Sequence, residues 1–90
     1  MTQSLQTTRV DFNTLSGMTC PEKIQKQFGM RLRALRLDRE ISQEKLALDA
    51  GMDRTYVNSV EQGNRNISLV NIVKLATALK IDPSELLSKG

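Results

Sequence analysis

Between Gln43 and Gln62 a small residue, Ala47, is followed four positions later by Gly51, and two valines, Val57 and Val60, stand six and nine positions beyond that glycine. Two helices crossing at a steep angle need this order of residues: a small side chain where the backbones approach, a turn residue free to take left-handed angles, and two apolar anchors on the second helix. The segment therefore predicts two short helices joined by a sharp turn. Ser42 is placed to cap the first, which carries Leu46, Ala47 and Ala50 and ends at Gly51. Asp53 is placed to cap the second, which runs from Arg54 to about Gln62 and is closed by Gly63.

The flanks are also helical in pattern. Pro21 suits a first helical position, with Glu22 behind it at the positive end of the helix dipole. Ile24, Phe28, Leu32 and Leu35 then recur at steps of four, four and three and predict one buried face of a helix reaching about Arg39. Downstream, Ser68 can cap a helix whose Leu69, Ile72, Val73, Ala76 and Leu79 form the expected inward stripe, and Asp82-Pro83-Ser84-Glu85 reads as a start signal for a short fifth helix with Leu86 and Leu87. Five helices with connections of a few residues leave no room for strands. The core must be aliphatic, since the 90 residues include two Phe, one Tyr and no Trp. The expected fold is all-α, a compact five-helix bundle over residues 21–90, preceded by a Ser-, Thr- and Gln-rich arm over residues 1–20.

Charge is local rather than general. The formal net charge is +3, and the stretch from Pro21 to Lys45 accounts for all of it, with seven basic residues against four acidic ones. A basic surface for a polyanion would have to be assembled there by folding. Catalysis has little to work with: there is no His, Cys20 is the only cysteine and has no base beside it, and neither a Gly-rich phosphate loop nor a metal-ligand cluster occurs. No cofactor, metal or small-molecule substrate is expected. The lone cysteine fits a reducing cytoplasm, and no apolar run reaches the roughly 18 residues of a membrane span.

The run Ile-Ser-Gln-Glu-Lys-Leu-Ala at 41–47, Gly51, Asp-Arg-Thr-Tyr-Val at 53–57 and Glu-Gln-Gly-Asn-Arg at 61–65 resembles the Cro and lambda-repressor type of helix-turn-helix transcriptional regulator. The resemblance extends from Pro21 to Leu87. Within that family, the string from Asp53 to Asn66 is similar to the controller proteins of restriction-modification systems, small dimeric regulators that time the expression of their own operon. It implies that Gln43 binds a DNA phosphate or base, that Arg54, Thr55, Asn58 and Ser59 are outward positions of the recognition helix with Tyr56 near its front, and that Arg65 and Asn66 follow the DNA backbone. It also implies a structural pair, Arg36 with Glu61, linking the first helix to the end of the third; a surface pair of this kind is expected to add only about 0 to 1 kcal/mol.

The chemistry of the residues points the same way. With Val57 and Val60 turned inward, the third helix presents Arg54, Thr55, Asn58, Ser59 and Gln62, short polar groups and one Arg that suit the donors and acceptors of base edges. One such helix touches few base pairs, so the expected DNA-binding form is a homodimer on a pseudo-palindromic, double-stranded operator. Ile81, Leu86 and Leu87 are the candidate dimer residues. The competing reading is an antitoxin or adaptor that uses the same fold mainly to bind another protein.

Overall fold

The computed structural model describes residues 20–87, so the expected arm over residues 1–20 lies, apart from Cys20, outside the described residues. Helices follow one another as α1 (Pro21–Asp38), α2 (Gln43–Ala50), α3 (Arg54–Glu61), α4 (Leu69–Leu79) and α5 (Pro83–Leu87), with no strand among the described residues. Every start has a local cause. Pro21 opens α1; Ser42, Asp53 and Ser68 accept backbone hydrogen bonds from Lys45, Thr55 and Asn71, respectively, and so satisfy amides that the first helical turn leaves free. Before α5, the Asp82 carboxylate accepts from the Ser84 amide at 3.0 Å, and these bonds hold its pKa below the ordinary value. Ahead of α1, the Cys20 thiol donates to Glu22 Oε1 at 3.1 Å, which lowers that carboxylate's pKa.

The ends are as local as the starts, with two exceptions. Gly51 terminates α2 at φ 71°, and Gly63 turns the chain after α3 at φ 81°. Glu40 after α1 and Lys80 after α4 also take left-handed angles, φ 56° and 60°, without being glycine. Each carries a Cβ penalty that the flanking hydrogen bonds offset, including Ile41 N–H to Arg36 O and Ile81 N–H to Ala76 O.

The core gathers Phe28, Leu32 and Leu35 of α1, Leu46, Ala47 and Ala50 of α2, Val57 and Val60 of α3, Ile72, Leu75, Ala76 and Leu79 of α4, and Leu86 of α5. α1 packs on α3 and α5, α2 packs on α3 and α4, and α4 packs on α5. Three sequence expectations need correction. Ile24 keeps the periodicity of α1 yet is 45% exposed, because it borders an open cavity beside Phe28 and Leu87 rather than the closed core. On α4 the inward stripe is rotated: Leu69 and Val73 are exposed, and Leu75, absent from the expected stripe, is fully buried. Leu86 is 1% exposed in the single chain, so it belongs to the intramolecular core and is removed from the candidate dimer face.

Gly29 holds the seam between α1 and α3. A Cβ there would collide with the backbone oxygens of Val60 and Glu61, the latter at 2.6 Å, so no larger residue permits this approach. The last turn of α3 is thus laid directly on the backbone of α1, which sets the direction in which α3 leaves the core.

Candidate nucleic-acid interface

Val57 and Val60 anchor the inner side of α3, with 0% and 1% of their surface exposed. The outer side then carries Arg54, Thr55, Asn58 and Gln62 in the open and Ser59 half-buried. Arg54 and Thr55 stand at the helix's amino-terminal end, where Asp53 Oδ2 accepts from the Thr55 amide at 3.1 Å. Gln62 is both exposed and the carboxy-terminal cap.

Behind this face lies a polar chain. Arg36 Nε donates to Glu61 Oε2 at 2.7 Å and Arg36 Nη2 to Glu61 Oε1 at 3.1 Å, a two-pronged pairing, while Arg36 Nη1 donates to the Ile41 carbonyl at 2.8 Å. The pair is not the surface pair expected from sequence: the Glu61 side chain is 0% exposed and that of Arg36 9%. Burial turns a contact of little weight into one whose rupture strands a charge, at a cost of about 3 to 5 kcal/mol. Gln43, the first residue of α2, joins the same chain through Nε2, which donates to Glu61 Oε1 at 2.9 Å and to Asn58 Oδ1 at 3.1 Å.

A second cluster ties the following loop to α3. The half-buried Tyr56 accepts a hydrogen bond on its hydroxyl from Asn71 Nδ2 of α4 at 3.0 Å, and the Arg65 guanidinium lies over its ring, 5.3 Å from the centroid. Arg65 is therefore coupled to the helix, rather than standing apart in the loop. Asn66 is exposed beside it. Asn71 was not foreseen from the sequence; an Asn on the first turn of a helix capped by Ser68 carries no signal of its partner fifteen residues upstream.

Of the remaining candidates, Leu87 is 62% exposed and Ile81 is half-buried against the core. Leu87 borders a cavity of about 460 Å³ with Ile24, Phe28, Arg31, Arg65 and Ile67. Among the described residues no helix is long and apolar enough to cross a membrane, and no group of acidic, Cys or His side chains is arranged to hold a metal.

Two short helices meeting at a left-handed glycine, the second anchored by valines and offering an outward row of Arg, Thr and Asn, define a helix-turn-helix unit. Residues 32–86 match the helix-turn-helix family, and the chain belongs to that family in its Cro and lambda-repressor form. It is a DNA-binding transcription regulator. Among curated proteins it is similar to the control protein C.BamHI of Bacillus amyloliquefaciens, 46% identical over 67% of this chain and 75% of that protein. It is likewise similar to the control protein C.MunI of a Mycoplasma species, 46% identical over 72% of this chain and 89% of that protein. Among solved structures, the restriction-modification controller protein C.AhdI from Aeromonas hydrophila superposes with a TM-score of 0.69 at 59% identity, covering 70% of this chain and 96% of that one.

Proposed function

We propose that this chain is the controller of a restriction-modification operon, acting in the cytoplasm as a homodimer on a pseudo-palindromic operator and without catalysing a reaction. The observation that carries the proposal is the outward row of α3, Arg54, Thr55 and Asn58, set on a chain similar over most of its described length to control proteins of such systems. Arg54 at the front of α3 suits a two-bonded grip on guanine, with Thr55 and Asn58 reading neighbouring base edges and Ser59 and Gln62 flanking them. Tyr56, Arg65 and Asn66 suit the adjoining phosphates, since the Asn71 bond and the Arg65 stack hold Tyr56 and Arg65 along one edge of α3 and Asn66 is exposed next to Arg65. Leu87, with Ile81 in part, offers apolar area to a second copy.

Footprinting on the DNA upstream of the gene, with random DNA as control, tests the reading. Protection of two half-sites about 10 base pairs apart or a multiple of that, lost when five base pairs are inserted between them, is the expected result. Equal binding to random DNA, or full affinity after the insertion, would sink it.

A further inference from the structure

An amide side chain shows a partner either its donating nitrogen or its accepting oxygen, and on an exposed helix it turns freely between the two. On the outer face of this protein the choice is made by the chain itself. A carboxylate accepts and cannot donate, so Gln43, facing Glu61 Oε1 at 2.9 Å, must point its NH2 group inward. That nitrogen has two hydrogens, and the second meets Asn58 Oδ1 at 3.1 Å. Turning Asn58 over would set NH2 against NH2, so its orientation follows from that of Gln43. Glu61 itself is held by two bonds from Arg36, and its side chain is fully buried.

We infer that Glu61 sets the hydrogen-bond polarity of the DNA-facing surface through Gln43, leaving Asn58 as a donor and Gln43 as an acceptor. Both hydrogens of Gln43 Nε2 are engaged, and only its Oε1 is left for DNA. Of the two contacts that the family resemblance implies, a phosphate or a base, Gln43 therefore cannot grip a phosphate oxygen through its amide hydrogens. It suits the amino group of an adenine or cytosine instead. Asn58 has its Oδ1 engaged and its Nδ2 left, and it addresses acceptor atoms, purine N7, guanine O6 or thymine O4. Gln43 and Glu61 are then positioning residues for the base preference of Asn58. The inference rests on the reading that this face meets DNA.

The test separates the two. In the free protein, nuclear magnetic resonance of the side-chain amides should show the Gln43 protons exchanging with water markedly more slowly than those of the exposed Gln62. In DNA binding, Asn58→Ala first locates the base pair that Asn58 reads. Gln43→Met, which leaves the Arg36–Glu61 pair in place but removes the amide, should then lower the preference at that pair about tenfold, a larger change than any in its binding to random DNA, because the freed Asn58 can show either edge. A phosphate-binding Gln43 predicts the reverse: equal weakening on every sequence, with the preference intact. That outcome, or Gln43 protons exchanging as fast as those of Gln62, overturns the inference. Failure of the unaltered protein to distinguish any DNA overturns the functional reading instead, and the amide protons of the free protein still decide whether the relay exists.

Discussion

The two ends of α1 share one apolar rhythm and meet different fates. From the middle of the helix onward Leu32, Leu35 and Arg36 are buried, with the backbone of α1 nearly touching that of α3 at Gly29 and a charged pair enclosed in the seam. Toward the amino-terminal end Ile24 is exposed, and Ile24, Phe28 and Leu87 border an open cavity. Periodicity states which side chains share a face, but only a covering element makes that face interior. The sealed end fixes where α3 points, and the open end leaves apolar area available to something other than the core.

That contrast can be broken from its strong side first. Arg36→Ala leaves the Glu61 carboxylate buried without its partner and should cost about 3 to 5 kcal/mol in chemical denaturation. A loss below 1 kcal/mol would mean that water reaches the seam. Gly29→Ala adds one methyl against carbonyl oxygens that belong to the backbone; the helices must part, and a loss of about 3 kcal/mol is expected, with operator affinity falling even at temperatures where the variant stays folded. A variant as stable as the parent would show that α1 and α3 lie further apart than described.

Smaller effects sharpen the comparison outside the seam. Arg54→Ala should leave the melting temperature unchanged and weaken the cognate operator by about 1 to 3 kcal/mol, with relaxed preference at one base pair; unchanged affinity across a library of single-base operator changes would take Arg54 off the interface. Lys80→Gly removes a Cβ from left-handed backbone and should raise stability by about 1 kcal/mol, which a higher denaturation midpoint would report. At the open end, Leu87→Ser should change the stability of the folded monomer by no more than about 0.5 kcal/mol. Its expected effect is instead on assembly, read as a shift toward monomer in analytical ultracentrifugation. A large loss of monomer stability would return Leu87 to the core.

How much of this could be read from the sequence depended on how local the cause was. The starts at Pro21, Ser42, Asp53 and Ser68 were legible, because a cap acts on amides two or three residues away. The phase of α4 was not. Leu69, Val70, Ile72, Val73, Leu75, Ala76 and Leu79 offer apolar residues almost all round the helix, and the choice of Ile72, Leu75, Ala76 and Leu79 is made by where α2 and α5 lie. The burial of Arg36 and Glu61 was equally hidden, since both residue types default to the surface and only the fold brings positions 25 residues apart together. The Gln43 bonds and the Tyr56–Asn71 bond are likewise products of the assembled fold.

The eight residues of α3 are fewer than a helix needs to persist by itself in water, where about 12 to 15 is already marginal. Its lifetime is therefore borrowed from the seam with α1. The interior amides of α3 should exchange their hydrogens only in openings that also release Leu32 and Val60, at rates that follow the stability of the whole domain rather than local fraying. A peptide cut to residues 42–63 would keep every outward side chain of the reading face and hold none of them in place.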